Sequence, residues 1–111
     1  MFASASGFLV VLCTCSSMEE GRRVARLLVE GRLAACVNIV PGVESVYRWQ
    51  GAVETAQETL LVIKTTAAAF PVLRERILEI HGYEVPEVLA IPVVEGSVGY
   101  LQWLGEQVGG E

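Results

Sequence analysis

Two patterns of apolar residues occupy the first third of the chain. Phe8 to Thr14 is a largely apolar run of strand length, which is typical of a central strand buried on both faces. Ser17 and Glu20 have the spacing of a capping box, so they predict the start of a helix. This helix has one apolar face, and Gly31 predicts its end. The residues of that face are Val24, Leu27 and Leu28.

A long β-hairpin, about Leu33 to Thr66, is predicted after this helix. Its first arm, Leu33 to Tyr47, is interrupted at Pro41-Gly42, where a residue without an N–H and a permissive glycine predict a bulge or bend in an edge strand. Trp49-Gln50-Gly51 predicts the turn, and Ala52 to Thr65 predicts the return arm. Only one half of the hairpin has the apolar residues of a core.

The remaining residues predict a second helix, an edge strand and a short final helix. The second helix ends at His81-Gly82, and Val88 to Val94 forms a strand whose Pro92 places it at a sheet edge. Ser97 is placed to cap the final helix. The apolar residues of the two helices are Phe70, Leu73, Ile77 and Ile80 in the first, and Tyr100, Leu101, Trp103 and Leu104 in the second.

The predicted element order is βαββαβ with an added C-terminal helix. Right-handed crossovers convert this order into an α+β, ferredoxin-like sandwich with its helices on one face of the sheet. A chain of 111 residues has room for one core, so residues 8–104 are expected to form a single domain. Residues 1–7 and 105–111 are expected to fray.

The length of the hairpin predicts self-association. An unbroken arm of about 14 residues would reach about 45 Å at roughly 3.3 Å per residue. A compact domain of this size is only about 34 Å across. The hairpin is therefore expected to project and to expose apolar side chains, which a homo-oligomer would cover. The alternative is that a bend at Pro41-Gly42 folds the ribbon back over its own sheet.

Composition excludes several classes of function. The net charge of -5, without a basic stripe, gives no surface for nucleic acid or an anionic membrane. The chain has no Asp and one His, so a Ser-His-Asp triad cannot be built and an enzyme is not expected. Cys13, Cys15 and Cys36 are an odd number without C-x-x-C spacing, which is typical of reduced thiols. No apolar run is long enough for a membrane helix, and a cytoplasmic protein is expected.

Several motifs resemble those of the CutA divalent-cation tolerance family. They are Leu33-Ala34-Ala35-Cys36-Val37-Asn38-Ile39 with Pro41-Gly42, Ser45-Val46-Tyr47-Arg48-Trp49-Gln50-Gly51, Glu58, Lys64-Thr65-Thr66, His81, Tyr83, Pro86-Glu87 and Tyr100-Leu101-Gln102-Trp103. The resemblance covers about Val10 to Leu104. It implies a cytoplasmic homotrimer, similar in architecture to the PII signalling proteins, that binds copper or another divalent metal and acts in the response to metal ions. Tyr47, Trp49 and Trp103 are then expected at the trimer interface.

Three residues are candidate metal ligands under this resemblance. Cys13 and His81 match a cysteine and a histidine that bind copper in some relatives, and Cys36 lies in the strongest family motif. Thiolate and imidazole are suitable ligands for copper and zinc. The alternatives are that both cysteines are apolar core residues and that His81 is a helix-end cap. Cys15 lies on the same strand face as Cys13 and could add a second thiolate.

The predicted metal site is incomplete and departs from the family pattern. Two cysteines and one histidine leave a position that Glu84, Glu87 or another subunit would have to fill. Many members have His-Pro-Tyr where this chain has His81-Gly82-Tyr83, and some have a second histidine at the position of Ile80. A site that depends on paired histidines is therefore weakened.

A second function stays open on the same residues: a PII-like regulator that binds a small anionic ligand in clefts between subunits. Lys64 is the only lysine, and it lies where a strand meets the start of a helix, a position suited to an anion. Glu58 and Tyr100 are the other candidate residues of this cleft. The alternatives for Lys64 are a solvated strand end and an ion pair with Glu58 or Glu87.

Overall fold

The structure is a computed structural model that describes residues 2–4 and 7–109. Its strands and helices follow the predicted order, with one additional short strand near each end. In chain order they are β1 Phe2–Ser4, β2 Phe8–Cys15, α1 Met18–Glu30, β3 Cys36–Trp49, β4 Ala52–Thr66, α2 Phe70–Ile80, β5 Leu89–Pro92, β6 Glu95–Ser97 and α3 Val98–Gln107.

The main sheet is antiparallel and has the strand order β3-β4-β2-β5. This order, with both long helices on one face, confirms the predicted ferredoxin-like α+β sandwich. β2 is a central strand, while β3 and β5 lie at the two edges, where their prolines need no ladder partner. β5 covers only Leu89–Pro92 of the strand predicted from Val88 to Val94.

The core lies between one face of this sheet and the two long helices. Strand side chains alternate, so every second residue of β2 and β4 points at the helices. The fully buried side chains include Val11, Cys13, Cys15, Leu61 and Ile63 from the sheet and Val24, Leu28, Leu73 and Ile77 from the helices. Burial of each large aliphatic side chain contributes about 1.5–3 kcal/mol. The intervening residues of β2, such as Val10 and Leu12, are only half-buried, so the expectation that β2 is buried on both faces is wrong for one chain.

The first helix begins and ends as predicted, with Ser17 as its N-cap and Gly31 as its C-cap. The Ser17 hydroxyl accepts a hydrogen bond from the N–H of Glu20 at 3.1 Å, which is half of a capping box. At the other end, Arg32 instead of Gly31 has the left-handed conformation, with a φ of 59°. The Arg32 side chain donates hydrogen bonds to the carbonyl oxygens of Glu106 and Gly109, both at 2.9 Å, and these contacts offset the cost of that conformation.

The hairpin has the predicted bulge, and its turn is tighter than predicted. Val40 pairs with Leu60 and Val43 with Glu58, so two residues face one at Pro41-Gly42. The connection consists of Gln50 and Gly51 only, with φ values of 50° and 83°, which is typical of a type I′ turn. Trp49 belongs to the strand.

The hairpin makes the chain elongated. The described residues extend over 46 × 27 × 22 Å, and their radius of gyration is 14.7 Å. A compact chain of this length has a radius of gyration of about 13 Å. The hairpin therefore projects, as its length predicts, and does not fold back over its own sheet.

Among the described residues, strand and helix extend beyond the predicted domain limits of 8 and 104. β1 pairs with β6, although residues 1–7 were expected to fray; residues 1, 5 and 6 lie outside the described residues. α3 continues to Gln107, past the Gly105 at which a frayed tail was expected to begin, and Arg32 donates hydrogen bonds to the carbonyl oxygens of Glu106 and Gly109. Residues 110 and 111 are outside the described part. Ser97 occupies the N-cap position of α3, but its side chain makes no capping hydrogen bond.

The longest described helix has 13 residues, and no described helix has the length and apolarity needed to cross a bilayer.

Candidate metal centre

Two cysteines and the single histidine meet at one end of the core. Cys13 and Cys15 are two residues apart on β2, so both side chains point toward the helices. His81 follows the last residue of α2 and is brought over the same end of β2. The ligand atoms of the three residues all lie within 4.8 Å of one another. Both cysteines are fully buried, and His81 is 9 % exposed.

The two thiols influence each other's ionisation. The interaction with the Cys15 thiol and the burial of the site raise the pKa of Cys13. The interaction with the Cys13 thiol lowers the pKa of Cys15 and outweighs the opposing effect of burial. Cys15 is therefore the first of the pair to become a thiolate, the form that binds metals.

Both ring nitrogens of His81 have hydrogen-bond partners. Nδ1 accepts a hydrogen bond from the N–H of Tyr83 at 3.0 Å, so Nδ1 carries no proton. Nε2 then carries the proton and donates it to the carbonyl oxygen of Thr14, which is 2.6 Å away. The contacts fix the tautomer and the ring orientation. A metal bound to either nitrogen would have to replace one of these hydrogen bonds.

Glu20 connects the strand that carries the cysteines with the loop that carries the histidine. Its Oε1 accepts hydrogen bonds from the N–H and the hydroxyl of Ser16, at 2.9 and 3.1 Å. Its Oε2 accepts a hydrogen bond from the N–H of Gly82 at 2.8 Å. Burial raises the pKa of this carboxyl, but the backbone hydrogen bonds from Ser16 and Gly82 outweigh burial and hold the pKa below its ordinary value. The carboxylate is therefore charged at neutral pH.

An acidic cleft of about 750 Å³ lies beside the cysteine–histidine cluster. Its wall includes Thr14 and Ser16, which flank Cys15, and Tyr83, whose ring lies 4.8 Å from that of His81. The Tyr83 hydroxyl donates a hydrogen bond to Glu58 at 2.6 Å. Burial and then this hydrogen bond raise the pKa of Tyr83. Glu84 and Glu87 also line the cleft, and no Lys, Arg or His is among the described residues that line it. Glu84 and Glu87 thus lie beside the cluster, as the predicted site requires, but neither is one of its three close ligands.

The third cysteine lies in a different place. Cys36 pairs with Lys64 across β3 and β4, on the sheet face opposite to Cys13. The Lys64 ammonium donates hydrogen bonds to the Asn38 side chain and to the Cys36 sulfur, the latter at 4.0 Å. Burial, and then the Cys36 thiol beside it, raise the pKa of Tyr100. Within one chain, Cys36 therefore cannot share a metal with Cys13 and His81.

The predicted anion cleft is divided between two regions. Lys64 and Tyr100 meet around Cys36, whereas Glu58 lies in the acidic cleft. Lys64 and Glu58 are six positions apart on β4, which corresponds to about 20 Å. A small ligand held by one chain cannot contact both, and the cleft that contains Glu58 has the wrong charge for an anion.

The predicted interface residues are exposed in the single chain. Tyr47 is 43 % exposed, and Trp49 and Trp103 are each 40 % exposed. Tyr47 and Trp49 line the acidic cleft, while the Trp103 ring packs against the Tyr100 ring at a tilt of 43°, with ring centroids 5.5 Å apart.

Sequence reasoning missed two residues of the centre. Glu20 was interpreted only as part of a helix cap, and Tyr83 only as part of a motif. Their partners, Gly82 and Glu58, are 62 and 25 positions away along the chain, so local spacing gives no indication of them.

Comparisons with known proteins agree with the fold and the motifs. Residues 9–107 match the family model described as CutA1 divalent ion tolerance protein. The divalent-cation tolerance protein CutA of Thermus thermophilus is 57 % identical over 100 residues, which are 90 % of this chain and 97 % of that protein. A chloroplastic CutA 1 of Oryza sativa is 48 % identical over 96 residues; these are 86 % of this chain but only 54 % of the rice protein.

Solved structures of CutA proteins superpose closely on this chain. A divalent cation tolerance protein of Thermus thermophilus has a TM-score of 0.90 at 56 % identity, covering 92 % of this chain and 99 % of that one. A periplasmic CutA of Archaeoglobus fulgidus has a TM-score of 0.89 at 36 % identity, covering 92 % and 99 %. Family model, identity and fold agree over nearly the whole length, and the chain belongs to the CutA1 family of divalent ion tolerance proteins.

Proposed function

We propose that this protein acts in divalent-cation tolerance by binding copper or another divalent metal at Cys13, Cys15 and His81. The observation that carries this proposal is the meeting of the three donor groups, whose ligand atoms lie within 4.8 Å of one another in a buried place. Two thiolates and one imidazole form a soft donor set, which suits copper and zinc better than magnesium or calcium. The proposed role is binding, without catalysis.

Three ligands leave one coordination position for a metal that prefers four, such as zinc. The acidic cleft adjoins the cluster, and its carboxylates attract cations toward it. Glu58, Glu84 and Glu87 are therefore the candidate sources of a further oxygen ligand. Metal binding would release thiol protons and replace one hydrogen bond of His81, so affinity should rise with pH.

A titration with Zn²⁺ and with Cu⁺ under reducing conditions tests the site. Cys13→Ser, Cys15→Ser and His81→Asn should each weaken binding by about 100-fold or more, because each removes one of few ligands. Cys36→Ser is the matched control and should leave the affinity unchanged, because Cys36 lies on the other face of the sheet. Equal affinity in the wild type and the three cluster variants would refute the site.

We also infer that the protein is a homotrimer. The two edges of the main sheet, β3 and β5, carry exposed apolar side chains, among them Val40, Val46, Leu89 and Ile91. Unpaired apolar edges favour association. Pairing of one edge with the other edge of a second chain is a head-to-tail contact, and such contacts form a ring when the rotation between subunits closes. A ring of three is what the resemblance to CutA proteins implies, with the hairpin residues Tyr47 and Trp49, and Trp103 of α3, at the contacts.

Sedimentation equilibrium tests the assembly. The wild type should have three times the 12.0 kDa mass of one chain. Val46→Glu on the hairpin should shift the equilibrium toward monomers, because it would place a charge in the contact. Val72→Glu is the control, since Val72 is similarly exposed but lies on α2. A wild type that stays monomeric at micromolar concentration would refute the trimer.

We place this function in the cytoplasm, where Cys13 and Cys15 would be kept as reduced thiols able to bind metal. All three cysteines are free in the structure. Cell fractionation with an antibody against the protein tests this location, and recovery in a membrane-enclosed compartment outside the cytoplasm would contradict it.

A further inference from the structure

We propose that Glu20 is a positioning residue of the metal centre, which holds the cysteine strand and the histidine loop at ligand distance from each other. This inference rests on the proposed function. The ligands come from two separate elements: Cys15 ends β2, and His81 follows α2. The two elements do not pair as strands, so contacts other than sheet hydrogen bonds must hold them at this distance from each other.

Glu20 contacts the immediate neighbour of a ligand on each side. One carboxylate oxygen accepts both hydrogen bonds of Ser16, which follows Cys15, and the other accepts the hydrogen bond of Gly82, which follows His81. The three distances lie between 2.8 and 3.1 Å. The carboxylate is therefore a direct bridge between the two backbones that carry the ligands.

The bridge needs the length and charge of glutamate. Glu20 is only 9 % exposed, and hydrogen bonds to a buried charge are stronger than those between neutral groups. Glutamine has the same length, but its amide nitrogen is a donor and would face another donor. Aspartate is one methylene shorter and cannot span the same gap from α1.

The loop is built to receive this carboxylate. A Cβ added to Gly82 would lie 2.9 Å from Glu20 Oε2, closer than real Cβ atoms approach another atom. Gly82 has no positive φ, so its lack of a side chain is explained by this contact and not by its backbone conformation. Substitution of residues that hold metal ligands in place, without binding the metal themselves, commonly lowers metal affinity by about 10- to 100-fold.

The test compares Glu20→Gln with Glu19→Gln, which removes an adjacent but exposed carboxylate from the same helical turn. In a Co²⁺ titration, Glu20→Gln should weaken binding by about 10- to 100-fold and alter the thiolate-to-cobalt charge-transfer absorption at saturation. Glu19→Gln should change neither. Circular dichroism of both variants verifies that each is folded.

A second measurement uses the metal-free protein. The Nε2–H of His81 donates a hydrogen bond to the carbonyl oxygen of Thr14. Its proton should therefore give a slowly exchanging imidazole N–H resonance in the NMR spectrum of the wild type and of Glu19→Gln. Loss of this resonance in folded Glu20→Gln would support positioning. Persistence of both the resonance and the Co²⁺ affinity in Glu20→Gln would overturn it.

The two measurements also separate this inference from the proposed function. If Cys13→Ser binds Co²⁺ as tightly as the wild type, the metal site itself is wrong. The His81 resonance then decides alone whether Glu20 positions the loop.

Discussion

Gly82→Ala should have opposite effects on stability in the presence and absence of Glu20. The added methyl carbon would lie 2.9 Å from Glu20 Oε2, and apart from Gly82 itself and its two chain neighbours only Glu20 has atoms within 4 Å of it. Glu20 cannot move away freely, because Ser16 holds its other oxygen with two hydrogen bonds. The substitution must therefore weaken the 2.8 Å hydrogen bond between Gly82 and Glu20.

The expected magnitudes follow from these contacts. A hydrogen bond to a charged group contributes about 1.5–3 kcal/mol, and Gly→Ala at an unstrained position stabilises by about 0.4–1 kcal/mol through the unfolded chain. Partial loss of the bond should leave Gly82→Ala destabilised by about 1 kcal/mol in the wild type. In Glu20→Ala the space is empty, so the same substitution should stabilise by about 0.5 kcal/mol.

The assay is urea unfolding of the wild type, both single variants and the double variant, at one protein concentration and with a metal chelator. These conditions keep association and metal binding from changing the free energies of unfolding. Gly99→Ala is the control, because nothing lies within 4 Å of its added Cβ, and it should stabilise α3. The same sign for Gly82→Ala in both backgrounds would refute the proposed contact.

Three further predictions concern the same fold. The folded-state pKa of Glu20 is lowered from 4.5, so the contribution of Glu20 to the free energy of unfolding is complete above pH 4.5 and is lost as the pH falls through the folded-state pKa. The difference in free energy of unfolding between wild type and Glu20→Gln, measured by urea unfolding, should therefore shrink on acidification. Thr65→Val removes the 2.6 Å hydrogen bond to the Leu33 carbonyl and should cost about 1–3 kcal/mol, whereas the exposed control Thr55→Val should stay within about 0.5 kcal/mol; equal effects would contradict this. Arg32→Ala should speed hydrogen exchange in the last turn of α3 without affecting β4, and unchanged exchange would show that the side chain does not hold that turn.

Most of the fold could be predicted from local pattern. The alternation along β2 and β4, the capping serine of α1 and the bulge at Pro41-Gly42 each follow from backbone geometry or from residues close in sequence. The end of α1 at Gly31 was predicted, but the left-handed conformation of Arg32 was not, because the contacts of its side chain are with carbonyls more than 70 positions away at the end of α3. The pairing of β1 with β6 joins residues that are more than 90 positions apart in the chain and was missed for the same reason.

The candidate site could be predicted only in part. The i, i+2 spacing places Cys13 and Cys15 on one face, and the family motifs draw attention to His81 and to Gly82. The contact between the Gly82 N–H and Glu20 could not be predicted, because the two residues are 62 positions apart in the chain.

The sequence by itself thus determined the elements, their order, the projecting hairpin and the types of ligand available, because periodicity and turn chemistry act over a few residues. Only the tertiary structure decided which ligands meet. It brings Cys13, Cys15 and His81 together, places Cys36 on the opposite face, and separates Lys64 from Glu58. Those distances depend on strand register and helix packing, which are set by contacts between residues far apart in the chain.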